Sequence, residues 1–341
     1  MAGPWTPGFL RPHTRQYAFR RYINRHKVLA RHRAWRYRSP PGRCPVFGEN
    51  VMPLADLVRH LNARNAARDA LRAPAPFVAT EHGDVQLHFA DLCLESIFLP
   101  IVETRSGSAH GHAASLRVSG LVSQRPVAPD AVFVLPGSDE EFIQLDRQVR
   151  TLHALNFLKQ RLRGNLLLDV HPRHIFGVAS DHGLAFEEIL RPCGLLPKQI
   201  TLELDISPVD EADPAQRAHL IRALTDYRAR GYGIAVRGIA QNRAHLALLR
   251  DLAPQIIRLD RPLLASGHPL GALIAPLRTL EARLLIDASG LAEHAGTDYW
   301  GDVDLVQAPP LPERAAALRG GLDAGAASNA APSHAFRLNA A

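Results

Sequence analysis

Cysteine is scarce in this sequence, which has three cysteines in 341 residues and no CxxC pair. The low count excludes a disulfide framework and a four-cysteine zinc site, and it predicts a protein of the reducing cytoplasm. Long apolar runs are also missing. Because no stretch of roughly 18 residues is continuously apolar, the sequence argues against a membrane span. A content of 46% hydrophobic and 21% charged residues is ordinary for a globular protein and excludes full disorder.

Acidic residues are absent from positions 1–45, which hold 11 Lys and Arg and seven aromatic residues. The total formal charge of +7 therefore leaves a balance of −4 for the rest of the chain. A mildly acidic body disfavours a nucleic-acid groove there. We expect residues 1–51 to form a basic, disordered arm. Such an arm either binds nucleic acid or a membrane surface through its guanidinium and aromatic groups, or is a plain solvated tail.

Three further segments follow the arm. Residues 52–84 read as an amphipathic helix and an Ala/Pro-rich linker, and residues 316–341 as a disordered tail. Within 85–315, strand-like runs alternate with helix-like stretches. These runs lie at 98–102, 113–118, 165–170, 200–205, 233–237, 255–260, 283–287 and 304–307. Eight strands with helical crossovers predict an α/β protein built as a TIM-like (β/α)8 barrel with a basic N-terminal extension.

Polar or charged side chains stand near the ends of these runs. They are Arg117, Asp169, Glu203, Arg237, Arg258, Asp260, Asp287 and Gln307. In such barrels the chemistry lies at the carboxyl ends of the strands. Charges that face a barrel interior must be paired or hydrated. We therefore expect these residues to form a ring at the barrel mouth that neutralises itself or binds a charged ligand.

The segment FLPIVETRSGSAHGHAASLRV resembles the opening of EAL domains, which typically read YQPIVDLRTG followed by GxEALxR. Later segments resemble further EAL motifs in unbroken order over about residues 88 to 313: LDVHPRHI, ITLELDIS, GIAVRGIA, IIRLDRPLL, RLLIDASG and DLVQAPPLP. The resemblance implies a barrel that hydrolyses cyclic di-GMP with two divalent cations. It also implies that a homodimer is to be expected.

Carried over residue by residue, the resemblance implies a degenerate active site. The glutamate of the EAL triplet falls on Ala113, and the paired aspartates fall on Arg237 and Gly238. The family's active-site positions together are Ala113, Asp169, Glu203, Ile206, Arg237, Gly238, Arg258, Asp287 and Gly290. Two unit charges about 4 Å apart interact by roughly 4 kcal/mol at an effective dielectric constant of about 20, so a guanidinium at 237 would repel a divalent cation strongly. We expect no metal, no cofactor and no phosphodiesterase activity.

Two functions remain open on this reading. One is an inactive regulatory or scaffold protein that acts on a protein partner in cyclic di-GMP-linked signalling, such as motility or biofilm control. The alternative is a receptor that binds cyclic di-GMP without cleaving it, with the ligand held by Arg117, Arg258, Asp260 and Gln307. Leu99, which replaces a glutamine of the family, argues against the receptor. An active phosphodiesterase is the least expected of the three.

Overall fold

The computed structural model describes residues 53–68, 75–210, 213–239, 243–259, 270–287 and 303–307. The predictions for the arm (1–51) and the tail (316–341) lie outside these residues. The described part contains seven α-helices: α1 (Leu54–Arg68), α2 (Asp139–Lys159), α3 (Pro172–Gly177), α4 (Leu184–Leu190), α5 (Pro214–Ala229), α6 (Arg243–Leu252) and α7 (Leu270–Leu277). Short 3-10 helices lie at Pro129–Val134 and Pro197–Gln199. None of these helices combines the length and the apolar content that a membrane span requires.

The strands of the described part are β1 (Phe77–Ala79), β2 (Val85–Phe89), β3 (Leu92–Glu103), β4 (Ala109–Gly120), β5 (Pro126–Val127), β6 (Asn165–Val170), β7 (Ile200–Asp205), β8 (Gly233–Arg237), β9 (Ile256–Leu259), β10 (Arg283–Asp287) and β11 (Leu305–Gln307). Their order in the sheet is β1-β2-β3-β11-β10-β9-β8-β7-β6-β4-β5, and an additional β3–β4 pairing closes a barrel of eight strands. Strand β3 is antiparallel to both of its barrel neighbours, and the other barrel pairs are parallel. The predicted (β/α)8 barrel is confirmed.

Local sequence signals explain where the longer helices begin. Ser138 caps α2 by accepting a hydrogen bond from the Glu141 N–H. Three acidic residues in the first turn also interact favourably with the positive end of the helix dipole. Asp213 caps α5 by accepting from two backbone N–H groups, and Pro214 occupies the first helical position. These caps fix the helices that follow β5 and β7, and so the strands β6 and β8 that come after them.

The barrel has two apolar layers. The larger core lies between the outer faces of the strands and the helices. A smaller cluster takes one or two inward-facing side chains from most barrel strands and fills the interior: Leu99, Ile101, Ala113, Leu167, Ala235, Ile256, Leu285 and Leu305. Because side chains alternate along a strand, the residue two positions further on faces the same interior, nearer the mouth.

The structure also contains strands that the sequence patterns did not indicate. β1 and β2 form an antiparallel extension beside β3, with β1 inside the segment predicted as a linker, and β5 pairs with the far end of β4. Strands β3 and β4 form a long hairpin that runs past the barrel rim, whereas only 98–102 and 113–118 were predicted as strand. This hairpin carries one predicted site residue, Arg117, and places Glu95 directly across from it.

Candidate functional site

The barrel mouth is lined by polar side chains that stand two positions beyond the apolar interior layer. The pairs are Leu167 and Asp169, Ala235 and Arg237, Ile256 and Arg258, Leu285 and Asp287, and Leu305 and Gln307. Among the described residues, these members of the predicted ring share the inward faces of their strands. Asp260 and Gly290, also predicted as site positions, lie outside the described residues.

Glu203 and Arg258 form a buried ion pair in the centre of this ring. Arg258 Nε donates to Glu203 Oε1 at 2.7 Å, and Arg258 Nη1 donates to Gln307 Oε1 at 2.8 Å. The side chains of Arg258 and Glu203 are only 11% and 5% exposed. Both charges are thus removed from water and depend on each other.

Arg237 lies between three carboxylates at the same level. Its Nη1 is 3.0 Å from Asp205 Oδ2, and its Nε is 3.7 Å from Asp169 Oδ1 and 3.8 Å from Glu203 Oε2. The sequence prediction placed Arg237 in one ring with Asp169, Glu203 and Asp287 but missed Asp205. Strand alternation could have found it, since Asp205 stands two residues beyond Glu203 and faces the same side.

Asp169 carries the most perturbed carboxyl group of the mouth. Desolvation by the surrounding walls and the neighbouring Glu203 carboxylate raise the pKa of Asp169, while Arg237 and Arg258 oppose the shift. Because 61% of the Asp169 side chain is open to solvent, hydration limits the size of this rise. Crowding of negative charge at the mouth is therefore only partly offset by the two guanidinium groups.

Two positions that correspond to carboxylates in the family resemblance are apolar and buried. Ala113 is 4% exposed and packs in the interior layer with Leu99, its direct partner across the β3–β4 pair. Ile206 is 0% exposed and belongs to the larger core between strands and helices. Neither position supplies an oxygen to the mouth.

Arg117 was predicted to lie at the mouth as a ligand-binding residue. It shares the inward face of β4 with Ala113, four residues earlier, and its guanidinium is paired on the β3–β4 hairpin beyond the level of Asp169. Its Nε and Nη2 lie 2.8 and 2.6 Å from Glu95 Oε2, directly across the strand pair. Gln86 donates to the other oxygen of Glu95 at 3.0 Å. The prediction missed Glu95 because it placed the strand at 98–102 only. The structure extends this strand back to residue 92, which brings Glu95 opposite Arg117.

The loop that follows Asp169 is held from behind by helix α2. Asp146 Oδ1 accepts a hydrogen bond from the His171 backbone N–H at 3.2 Å. Its Oδ2 accepts from Arg150 Nη2 at 2.8 Å and from His174 Nδ1 at 3.0 Å. Asp146, Arg150 and His174 are all nearly fully buried. This cluster, which sequence reasoning did not single out, fixes the exit of β6 relative to α2.

Gly238, at the second of the paired aspartate positions, requires glycine for two reasons. Its φ is +72°, and a Cβ would collide with Asp205 Oδ1 and lie 2.9 Å from the Ser207 nitrogen. We expect Gly238→Ala to lower the free energy of unfolding by about 3 kcal/mol, since strain and steric overlap act together.

Gly107→Ala is the matched control for this prediction, because Gly107 has a φ of +67° with open space around its Cα. Strain alone should cost about 1 kcal/mol there. Urea denaturation of both variants measures the two losses. Equal losses would show that steric overlap with Asp205 and Ser207 adds nothing to the cost of Gly238→Ala.

The described residues of the mouth do not by themselves make up a centre of two divalent cations. Such a centre needs several converging oxygen ligands, and the described residues contain no group of three or more His, Cys, Asp or Glu side chains that could hold a metal. The retained carboxylates of Asp169, Glu203 and Asp205 surround the guanidinium of Arg237 instead.

Comparisons with known proteins agree with this architecture. A model of the EAL domain matches residues 88–293. Among solved structures, the chain is similar to Bacillus subtilis YkuI, a protein with an EAL domain in complex with substrate cyclic di-GMP and calcium, at 19% identity and a TM-score of 0.50. It is also similar to the FimX EAL domain from Pseudomonas aeruginosa bound to cyclic di-GMP, at 15% identity and a TM-score of 0.51.

The matched regions cover 63% of this chain and 54% of YkuI, and 75% of this chain and 93% of the FimX domain. The chain therefore spans little more than half the length of YkuI. At these identities the likeness shows the fold. No curated protein matches the chain.

Proposed function

Because the chain belongs to the EAL domain family, whose members are normally cyclic di-GMP phosphodiesterases, we propose that it is a catalytically silent member of that family. On this proposal it acts in the cytoplasm as a regulator or scaffold through contacts with a protein partner in cyclic di-GMP-linked signalling, including control of motility or biofilm formation. The observation that carries the proposal is the position of Arg237 and Arg258 among the carboxylates of the mouth.

The placement of arginine among the carboxylates supports the silence of the site. Among the described residues, the mouth holds four carboxylates and two guanidinium groups: Asp169, Glu203, Asp205, Asp287, Arg237 and Arg258. A metal-bound nucleophile requires a cation to replace Arg237 in the space between Asp169, Glu203 and Asp205. Displacing a guanidinium from three carboxylates within 3.8 Å of it removes these ion pairs and is unfavourable.

A hydrolysis assay tests the proposal. Purified full-length chain is incubated with cyclic di-GMP in Mg²⁺ or Mn²⁺, beside an active EAL domain as the positive control, and the linear dinucleotide is quantified. We expect no product above the rate without protein. Linear product that is lost in a Glu203→Gln variant would overturn the proposal.

A cyclic di-GMP receptor is the second candidate, and one observation favours it. Arg237 is 35% exposed at the mouth, so its guanidinium remains accessible to a phosphate group. Against this candidate, Arg117 is paired with Glu95, and the excess of carboxylates repels a ligand with two phosphodiester charges. Calorimetry with cyclic di-GMP separates the two functions. A dissociation constant of about 1 μM or lower supports the receptor, and no heat of binding at ligand concentrations of hundreds of micromolar supports the scaffold.

Two variants make the calorimetry specific to the mouth. A receptor predicts that Arg237→Ala weakens binding at least tenfold. The control Arg191→Ala removes another arginine that pairs with a carboxylate, Glu187, but lies at the end of α4. Its side chain is 75% exposed, and its loss should leave binding unchanged. Equal weakening in both variants would point to non-specific attraction of an anion by surface charge.

A further inference from the structure

A small cavity lies outside the barrel, among the helices α2 to α5. Its volume is about 10 Å³, room for a single occupant about the size of a water molecule. The polar groups around it come from several elements: Arg147 and Arg150 on α2, His174 on α3, Asp181 and His182 on the loop before α4, and Tyr227 on α5. No residue of the barrel mouth lines this cavity.

Tyr227 leaves a hydrogen-bond donor unused at the cavity wall. The residue is 1% exposed, and its Oη makes no hydrogen bond of ordinary geometry among the described residues, while the Arg150 guanidinium lies close to it as a donor. Burial raises the pKa of Tyr227 to about 12, against a smaller opposing effect of the nearby Arg150 guanidinium. The hydroxyl is therefore protonated at neutral pH. A buried O–H without an acceptor costs about 1–3 kcal/mol, so an acceptor in the cavity would be favoured.

Arg150 is the second unusual donor. It is 1% exposed, and its hydrogen bonds within the described part of the chain all go through Nε and Nη2, to Asp146 and His174. The Asp146 carboxylate also interacts with the His174 ring and the His171 N–H, so it does not serve Arg150 alone. The N–H groups on Nη1 of Arg150 are thus available to a further acceptor.

We propose that this cavity binds one monovalent anion of halide size, held by the Tyr227 hydroxyl and the Arg150 guanidinium. Arg147 adds a second positive charge to the lining. The acidic residue among those that line the cavity, Asp181, is 68% exposed and lies 3.5 Å from Arg230, so its charge is hydrated and paired. The volume has room for one small occupant and so favours a halide over phosphate, sulfate and carboxylate ligands, which have several heavy atoms.

The cavity is linked to the barrel mouth through Asp146. Asp146, the carboxylate partner of Arg150, also holds the His171 backbone that follows Asp169. An anion that restrains Arg150 therefore restrains Asp146 and the loop at the mouth. Occupancy is expected to increase the thermal stability of the domain, because a ligand that binds only the folded state stabilises it by mass action.

Bromide provides the direct test. Crystals of the full-length protein grown without halide are soaked in sodium bromide, and anomalous scattering is recorded at the bromine edge. We expect a peak in the cavity within hydrogen-bond distance of Tyr227 Oη. An ordered water at full occupancy without anomalous signal would overturn the proposal, and so would an empty cavity.

A solution measurement adds a matched pair of variants. Melting temperature is followed as chloride replaces gluconate at constant ionic strength. We expect a saturable rise for the wild type and at least a tenfold higher half-saturating concentration for Tyr227→Phe. Tyr232→Phe removes a hydroxyl that donates to Gly183 O and whose residue does not line the cavity, so this variant should keep the wild-type half-saturation. A melting temperature of the wild type that does not respond to chloride would contradict the proposal.

Discussion

Replacing Arg258 with methionine is expected to lower the free energy of unfolding by about 3 kcal/mol or more, because it leaves the Glu203 carboxylate buried without its main partner. Glu203 is 4% exposed, and its Oε1 receives the Arg258 Nε–H at 2.7 Å. Arg237, at 3.8 Å from the other oxygen, is too distant for a full hydrogen bond and compensates only in part. Urea denaturation at pH 7 measures the loss.

Two further variants make this result specific. The double variant Arg258→Met/Glu203→Gln should regain part of the stability, since it removes the buried charge as well as its partner. Arg278→Met, which breaks an exposed pair with Asp304, should cost no more than about 1 kcal/mol. A similar loss for Arg258→Met and Arg278→Met would mean that the mouth is hydrated and that its ion pair is not a structural requirement.

Asp146→Asn is expected to have the second large effect, a loss of about 3–5 kcal/mol near neutral pH. Burial alone would raise the pKa of Asp146, but Arg150 and His174 outweigh it and hold the pKa well below its ordinary value of 3.8. The stability that Asp146 contributes is therefore fully present above about pH 4, where the unfolded carboxyl is also ionised, and is lost as the pH falls toward the lower folded pKa.

The pH dependence distinguishes charge from shape in this variant. The difference in unfolding free energy between wild type and Asp146→Asn should be constant from pH 5 to 8 and should narrow below about pH 4. Asp139→Asn, whose carboxylate is 69% exposed and pairs with Arg173, should change stability only slightly over the same range. A difference that stays constant down to pH 2.5 would show that the ionised carboxylate is not what stabilises this cluster.

The barrel strands were predictable because their apolar runs end in polar residues and alternate with helical segments. All eight predicted runs overlap barrel strands, from 98–102 in β3 to 304–307 in β11. The inward direction of Arg258 followed from Ile256, since the two share a face of β9. The position of Arg237 at the mouth was expected from its place at the end of the strand-like run 233–237.

What escaped prediction depends on pairings that are distant along the chain. Glu95 captures Arg117 because the β3–β4 hairpin continues past the barrel rim, and nothing in the composition of 92–97 marks that extension. Asp146 meets His174 and the His171 N–H across 25 to 28 residues, through the packing of α2 on the loop after β6. Its sequence signal, Asp and Arg four residues apart, is the same as that of an exposed helical pair.

Manganese binding tests the central claim most directly. Crystals of the full-length protein are soaked with Mn²⁺ and cyclic di-GMP, and anomalous scattering locates the metal. We expect the Arg237 guanidinium to lie between Asp169 and Asp205, with no manganese at the coordination distance of about 2.0–2.6 Å from the Glu203 carboxylate. A manganese peak bound to Glu203, with Arg237 turned away from the mouth, would contradict the account.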